Sequence, residues 1–139
     1  MRQPITDAVI AWLGEQGHEV SLIGPVVDGD DREWAEVGGE TARAVTTGAA
    51  DVAVGFCWSG TGVCIAANKV AGARAALCGD AETARLSRKY NHANVVVMSM
   101  RATSPAVAIE IVEAFLAEPW GDDDFDHRNA AAVDALDRG

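Results

Sequence analysis

The sequence predicts an α/β fold in which a parallel β-sheet lies between two layers of helices. Short apolar, β-branched runs, typical of buried strands, alternate along the chain with longer segments whose apolar residues recur at helical spacing. Strands separated by helices form βαβ units, and the resulting parallel sheet is covered on both faces. We therefore expect a three-layer αβα, Rossmann-like architecture. Since the 139 residues are 49% hydrophobic, residues 1–139 are expected to form a single domain.

The individual elements follow from apolar spacing and from start and stop signals. The predicted helices span residues 4–16, 34–47, 62–70, 81–90, 105–117 and 128–136, and the predicted strands span residues 19–23, 52–57, 74–78 and 95–98. Asp80 is placed to cap one helix. Ser104, followed by Pro105 in the first turn, begins another. The run from residue 95 to residue 98 is apolar throughout, as in a strand buried on both faces.

Charge and composition exclude several classes of partner. The net charge is −10, and four aspartates cluster between residues 122 and 126, so the chain would repel a nucleic-acid backbone. No apolar run is long enough to span a membrane, and the N-terminus does not resemble a secretory signal. We expect a soluble cytoplasmic protein. The three cysteines form no CxxC pair and the three histidines are scattered, so reduced thiols and no metal site are expected.

The most informative segment begins at Cys57, which ends the predicted strand 52–57. Gly60 and Gly62 follow within five residues and permit a tight turn whose N–H groups converge on one point. The helix that starts there adds positive potential. In doubly wound sheets, ligands bind beyond the carboxyl ends of the strands. The segment therefore predicts a thiol beside an anion-binding loop, which is the layout of a reactive site.

Other motifs that place glycines or a cysteine in such a turn do not match. A cysteine-based phosphatase loop needs an arginine six residues after the cysteine, where this chain has Val63. The dinucleotide pattern GxGxxG would need glycine in place of Ile65, and the Gly-Lys-Ser/Thr of a P-loop is absent from the sequence. We expect no nucleotide and no cofactor.

The segment resembles the ribose-5-phosphate isomerase B and galactose-6-phosphate isomerase family. That family's pattern is a cysteine, a Gly-Thr-Gly-x-Gly loop and Ile-Ala-Ala-Asn-Lys, and it matches Cys57, residues 58–62 and residues 65–69 without gaps. The similarity continues through residues 72–80, 83–88 and 91–95 and covers nearly the whole chain. It implies a cofactor-free aldose–ketose isomerisation of a sugar phosphate through an enediolate. It also implies a homodimer or tetramer whose site lies between subunits.

The resemblance assigns roles to the residues of the loop. Cys57 corresponds to the base that moves a proton between adjacent carbons. Such a base needs nearby donors aimed at the oxygen that becomes negative, and the amides of Gly60, Thr61 and Gly62 are placed to supply them. Ser59 stands where the family has a threonine whose hydroxyl relays protons.

Five further positions carry family roles or depart from them. Asn91 matches the family's substrate-contacting asparagine, and Tyr90 stands where the family has the histidine that helps open the sugar ring. The basic cluster that grips phosphate in the family is reduced here to His127 and Arg128. Trp58 replaces the first glycine of the loop and narrows it, which indicates a subgroup with its own substrate.

The largest difference from the family pattern is that the family's first strand is missing from this sequence. The family begins with a strand ending in Asp-His-Ala-Gly, which lies in its sheet between the strands corresponding to residues 19–23 and 52–57. This chain starts with the helix that follows that strand. The expected sheet therefore lacks the family's first strand and has two unpaired edges.

Alternative interpretations remain for the chain and for its residues. One alternative is a catalytically impaired or partner-dependent subunit that binds an anionic ligand without turnover. Another is a thiol redox sensor, because a cysteine beside a helix N-terminus occupies a reactive position. Cys57 can also be an ordinary buried hydrophobe, as we expect for Cys64 and Cys78. Among the remaining side chains, Arg88 and Arg101 are the expected anion ligands, and His92 is expected at the surface.

Overall fold

The structure is a computed structural model that describes residues 2–138. In chain order the elements are α1 (Pro4–Glu15), α2 (Trp34–Thr46), β1 (Ala53–Cys57), α3 (Thr61–Asn68), β2 (Ala75–Leu77), α4 (Ala81–Asn91), β3 (Val95–Ser99), α5 (Pro105–Ala117) and α6 (Asp124–Leu136). The three strands form one parallel sheet in the order β1-β3-β2. Helices pack against both faces of this sheet, which confirms the predicted α/β, Rossmann-like fold.

The central strand β3 organises the core. Its residues alternate between two apolar clusters, as successive side chains of a strand do. Val96 and Met98 pack in the cluster that includes α1 and α5, while Val95 and Val97 pack with Val63 of α3. All four strand residues are fully buried. A strand covered on both faces needs apolar residues throughout, which explains the unbroken apolar run in the sequence.

Local signals predicted the helix starts well, with one exception. Asp80 accepts a hydrogen bond from the Thr83 N–H at 2.7 Å, and Ser104 accepts one from the Val107 N–H at 3.2 Å. The last helix starts at Asp124, four residues before the predicted start at residue 128. The acidic stretch forms its first turn, because negative side chains are stabilised at a helix N-terminus. Within residues 2–138, no helix is long and apolar enough to cross a membrane.

The predicted strand at residues 19–23 is wrong. These residues are irregular and pair with none of the three strands. A strand is stabilised by its ladder of hydrogen bonds to a neighbour, and β1, the nearest edge of the sheet, is paired with β3 alone. An alternating pattern without an adjacent partner does not make a strand.

A slot of about 750 Å³ lies between residues 18–23 and β1, and we call it the β1 slot. Its lining includes Val9, Ile10 and Leu13 of α1, Val37, Thr41 and Ala44 of α2, and residues 52–57 of the sheet edge. The unpaired edge of β1 that the sequence predicts is therefore present. At its carboxyl end the slot reaches Cys57 and Trp58.

Candidate functional site

Cys57 lies at the carboxyl end of β1, and its thiol is half-buried. The N–H of Gly60 donates a hydrogen bond to Cys57 Sγ at 3.0 Å. Gly60 adopts the left-handed conformation, with φ of 85°, and a Cβ built on it would lie 2.5 Å from Leu77 Cδ1. Glycine is therefore required at position 60 both for the backbone angle and for space. Its N–H holds the Cys57 sulfur next to the loop.

The loop that follows Cys57 carries backbone donors and two hydroxyls. The first hydrogen bond of α3 runs from the Cys64 N–H to the Gly60 carbonyl, so the N–H groups of Thr61 and Gly62 have no partner within the helix. Ser59 Oγ and Thr61 Oγ1 lie 2.8 Å apart, and one of these hydroxyls donates a hydrogen bond to the other. The loop thus combines one thiol, a cluster of amides and a hydroxyl pair at the carboxyl edge of the sheet, where ligands bind in this class of fold.

Two tryptophan side chains line this site. Trp58 and Trp34 are 65% and 55% exposed, and both line a cavity of about 350 Å³ together with Cys57 and the loop. The Trp34 ring covers Gly62, because a Cβ built on Gly62 would lie 2.8 Å from Trp34 Cε3. Trp34 was not predicted as a site residue. The only signal in the sequence is a large aromatic residue at the start of a helix, and nothing local connects that position with the loop.

Arg101 follows the carboxyl end of β3, and its backbone contacts the loop after Cys57. Its N–H donates to the Trp58 carbonyl at 3.0 Å, and the Met100 N–H donates to the Cys57 carbonyl at 2.9 Å. The guanidinium of Arg101 is exposed and has no hydrogen bond or ion pair with any described residue. That Arg101 binds an anion stays a prediction.

Arg88 has a different environment from the one expected. Its guanidinium donates to the Ala93 carbonyl at 2.5 Å and to the Glu118 carbonyl at 3.2 Å, and it lies over the Phe115 and Trp120 rings. Burial, and then the charge of Arg74, lower the pKa of Arg88. Arg88 is thus used for packing, and the expectation that it binds an anion finds no support in the structure.

Of the other two cysteines, Cys78 is buried and Cys64 is half-buried. Cys78 is 1% exposed, and burial raises the pKa of its thiol to about 11. Burial also raises the pKa of Cys64, whose Sγ lies 3.6 Å from the Ala75 carbonyl oxygen. Among the described residues, no three His, Cys, Asp or Glu side chains are grouped closely enough to hold a metal ion.

Tyr90, Asn91 and Arg128 do not join the loop within one chain. Helix α4 starts beyond the carboxyl end of β2 and returns to the amino end of β3, so Tyr90 and Asn91 lie at the opposite end of the sheet from Cys57. Both are exposed, as is Arg128 on α6, which packs against α4. The predicted site residues therefore form two groups at opposite ends of the sheet.

His92, which follows Asn91 in the chain, is buried and not at the surface as expected. The His92 ring stacks on Trp120 with a centroid distance of 5.0 Å, and the His127 ring meets it edge-on at 5.4 Å. His92 Nε2 lies 2.8 Å from the Gly121 carbonyl oxygen. These contacts attach the C-terminal segment to the end of α4, an arrangement between distant residues that the sequence did not indicate.

Fold and loop together define an αβα protein with a thiol and free backbone donors at the carboxyl edge of a parallel sheet. The family model described as Ribose/Galactose Isomerase matches residues 3–136. The chain therefore belongs to this family, which confirms the resemblance noted in the sequence.

Relatives and solved structures agree with this assignment. The chain is 34% identical over 116 residues to D-erythrulose-4-phosphate isomerase of Pectobacterium atrosepticum, covering 84% of this chain and 74% of that protein. It is 35% identical over 112 residues to ribose-5-phosphate isomerase B of Escherichia coli, covering 81% and 74%. The type B ribose 5-phosphate isomerase of Trypanosoma brucei has a TM-score of 0.88 at 38% identity, covering 96% of this chain and 90% of that one. Ribose-5-phosphate isomerase B of Clostridium thermocellum has a TM-score of 0.89 at 28% identity, covering 96% and 89%.

Proposed function

We propose that the chain is an aldose–ketose isomerase that acts on a phosphorylated sugar through an enediolate, with Cys57 as the base. The observation that carries this proposal is the position of Cys57 Sγ, which the Gly60 N–H holds at 3.0 Å beside the free amides of the loop. The family supports the reaction class, because the similar proteins named above are isomerases of ribose 5-phosphate and D-erythrulose 4-phosphate.

In the proposed reaction, the Cys57 thiolate takes a proton from the carbon next to the substrate carbonyl. The electrons of that C–H bond form the C=C bond of the enediolate, and the carbonyl oxygen becomes negative. The N–H groups of Thr61 and Gly62 stabilise this charge. The hydroxyl pair of Ser59 and Thr61 moves a proton between the two substrate oxygens. The Cys57 thiol then returns its proton to the neighbouring carbon, which converts aldose to ketose without a net change in oxidation state.

Arg101 is the proposed phosphate ligand within the same chain. It stands at the same edge of the sheet as Cys57, and its guanidinium has no partner among the described residues. A phosphate is recognised by charge-assisted hydrogen bonds from such a group. Trp58 and Trp34 would then contact the apolar faces of the sugar chain, since both line the same cavity as Cys57.

The substrate-contacting roles of Tyr90, Asn91 and Arg128 require a second copy of the chain. Because they lie at the opposite end of the sheet from Cys57, a complete site forms only if one subunit presents this end to the loop of another. A homodimer with two-fold symmetry would create two such sites, and a tetramer would contain two such dimers.

Deuterium uptake tests the proposal directly. The protein is incubated in heavy water with ribose 5-phosphate, ribulose 5-phosphate and D-erythrulose 4-phosphate, and exchange at the carbon next to the carbonyl is followed by NMR. Cys57→Ala is expected to slow exchange by about 10²-fold or more, since it removes the general base. Cys64→Ala is the matched control and should leave exchange unchanged. Equal exchange in the wild-type protein and Cys57→Ala would reject Cys57 as the base.

A partner-dependent or catalytically impaired subunit is the second candidate. It is favoured by the β1 slot, which leaves one wall of the site incomplete at Cys57 and Trp58. If this candidate is correct, the isolated chain shows no exchange with any of the three substrates, yet inorganic phosphate shifts the amide resonances of the loop. Exchange by the isolated chain would reject it.

A further inference from the structure

The turn at the end of β3, residues 99–102, is attached to the chain segment that begins at Cys57, and we call it the β3 turn. The Met100 N–H donates to the Cys57 carbonyl at 2.9 Å, and the Arg101 N–H donates to the Trp58 carbonyl at 3.0 Å. Together these bonds extend the contact between β1 and β3 beyond the sheet and into the loop that carries the thiol.

The Ser99 hydroxyl reinforces this attachment. Ser99 Oγ lies 3.0 Å from the Trp58 carbonyl oxygen and 3.2 Å from the Ala102 backbone nitrogen. Since an N–H group can only donate, Ser99 Oγ accepts from Ala102, and the hydroxyl hydrogen is donated to the Trp58 carbonyl. One hydroxyl thus joins the far end of the β3 turn to a residue 41 positions earlier in the chain than Ser99.

A local role accounts for only one of these two bonds. Serine hydroxyls often bond to backbone groups a few residues away, and the bond from the Ala102 N–H follows that pattern. The bond to Trp58 does not, because it crosses from the end of one strand to the end of another. Ser99 is not among the described residues that line the cavity beside Cys57. Its effect on the site is therefore to couple the β3 turn to the loop.

The β3 turn carries Arg101, the proposed phosphate ligand. The guanidinium of Arg101 has no hydrogen bond or ion pair with any described residue. Arg32, Arg74 and Arg85, by contrast, are each held by an ion pair with a carboxylate. Because no such pair holds the Arg101 side chain, its position depends on how the backbone of the β3 turn is fixed.

A sugar phosphate in the proposed reaction is held at two points. Its reacting carbons lie at Cys57 and its phosphate at Arg101, so the separation of these two groups must match the number of carbons between the carbonyl and the phosphate. That number is one smaller in D-erythrulose 4-phosphate than in ribulose 5-phosphate. A misplacement of about 1 Å can cost on the order of 10²-fold in rate. A rigid attachment of the β3 turn to the loop therefore discriminates between substrates of different length.

We propose that Ser99 is a positioning residue that fixes the separation between Cys57 and Arg101 and thereby sets the length of sugar phosphate that the site prefers. This inference rests on the proposed function, with Cys57 as the base and Arg101 as the phosphate ligand. Ser99 acts through the β3 turn and takes no part in proton transfer, since its hydroxyl is bonded to two backbone groups.

Steady-state rates with two substrates provide the test. The ratio kcat/KM is measured for ribulose 5-phosphate and for D-erythrulose 4-phosphate, and the wild-type protein should prefer one of them by about tenfold or more. Ser99→Ala should reduce this preference by about threefold or more, because it loosens the β3 turn. Ser99→Thr keeps the hydroxyl and should retain the preference. Thr47→Ala is the matched control, since it removes a hydroxyl bond to the Arg43 carbonyl at the far end of α2, and it should leave the preference unchanged.

A double-mutant cycle separates positioning from a general loss of stability. Because Ser99 acts through Arg101, Ser99→Ala should lower kcat/KM for the preferred substrate by about tenfold in the wild-type background. When Arg101→Gln is already present, the same change should lower kcat/KM by less than about twofold. A general loss of stability would lower it by the same factor in both backgrounds.

Hydrogen exchange gives a readout that needs no substrate. The Arg101 N–H donates to the Trp58 carbonyl, and in Ser99→Ala it should exchange about tenfold faster or more, since the turn opens more often. The Val97 amide lies within β3 and should not change.

Several outcomes would overturn the inference while leaving the proposed function intact. These are turnover by the wild-type protein without a preference, the same preference in Ser99→Ala, loss of the preference in Ser99→Thr, equal factors in both arms of the cycle, and unchanged exchange of the Arg101 amide. No turnover of either substrate by the wild-type protein would be a different result, because it would overturn the proposed function and this inference with it.

Discussion

At the scale of single residues, the loop shows how two glycines meet different physical needs. Gly60 is required for its backbone angle, since its φ of 85° is unfavourable for other residues. Gly62 has ordinary helical geometry and is required for space, because the Trp34 ring lies directly over it. The family pattern in the sequence identifies both glycines, but only the structure distinguishes their roles.

The contact between Gly62 and Trp34 predicts that the effect of Gly62→Ala on the free energy of unfolding changes sign when the Trp34 ring is removed. Gly62→Ala in the wild-type background should lower the free energy of unfolding, because the new methyl group displaces the Trp34 ring. In a Trp34→Ala background the same change should be neutral or stabilising by up to about 1 kcal/mol, since alanine is the better helix former. Urea unfolding of the four proteins measures both effects. The same sign in both backgrounds would mean that the ring does not restrict this position.

The three thiols should differ in reactivity with iodoacetamide at pH 8. Cys78 is buried and the pKa of its thiol is about 11, so almost none of it is thiolate at that pH. Burial raises the pKa of Cys64 as well. Cys57 lines an open cavity and should be alkylated first. Peptide mass spectrometry over a time course gives the order, and early labelling of Cys78 would show that the core around it opens readily.

At the scale of elements, the segment before α2 contains an ion pair between Asp30 and Arg32, in addition to its backbone turns. Asp30 accepts hydrogen bonds from the Arg32 guanidinium and from the Arg32 N–H at 3.0 Å. These bonds, chiefly the side-chain one, lower the pKa of Asp30 from 3.8 to about 2. Because Arg32 also lines the β1 slot and precedes Trp34 by two residues, this pair positions one wall of the site.

The pH dependence of this pair follows from the direction of the shift. A carboxyl group whose pKa is lowered on folding contributes stability above its unfolded value, here near 3.8, and that contribution is lost as the pH falls toward about 2. An NMR titration of the Asp30 carboxyl carbon should therefore have its midpoint near 2. Arg32→Gln should move the midpoint up toward 3.8, whereas Arg85→Gln, on helix α4, should not. An unchanged midpoint in Arg32→Gln would show that Arg32 is not the cause of the lowered Asp30 pKa.

At the scale of the whole molecule, the two groups of candidate residues lie at opposite ends of one sheet. Cys57 and the loop are at the carboxyl end, while Tyr90 and Asn91 are at the other. A parallel sheet covered by helices cannot fold back on itself to bring its ends together. Any site that uses both groups must therefore combine two subunits.

Mixing two inactive variants tests this arrangement. Cys57→Ala and Asn91→Ala homodimers would each carry two defective sites. A mixed dimer would have one site with both defects and one intact site, so an equal mixture allowed to exchange subunits should regain about a quarter of wild-type activity. Two variants at one end, Cys57→Ala and Ser59→Ala, provide the control and should not complement each other. Failure of the first pair to regain activity, in a mixture shown to exchange subunits, would place Asn91 outside the site.

The sequence by itself determined the features that depend on short-range interactions. The caps at Asp80 and Ser104, the apolar strand at residues 95–98 and the loop after Cys57 each follow from residues close together in the chain. The fold class and the family could be predicted for the same reason. These features require only local backbone geometry and the burial of apolar residues at a regular spacing.

Tertiary structure alone decided the features that depend on distant partners. Residues 19–23 have a strand-like pattern but no adjacent strand, and a hydrogen-bond ladder needs both. Trp34 reaches the loop only because α2 packs against α3, and His92 is buried only because Trp120 returns to cover it. Contacts between residues far apart in the chain are set by how the layers pack, and local sequence patterns carry little information about them.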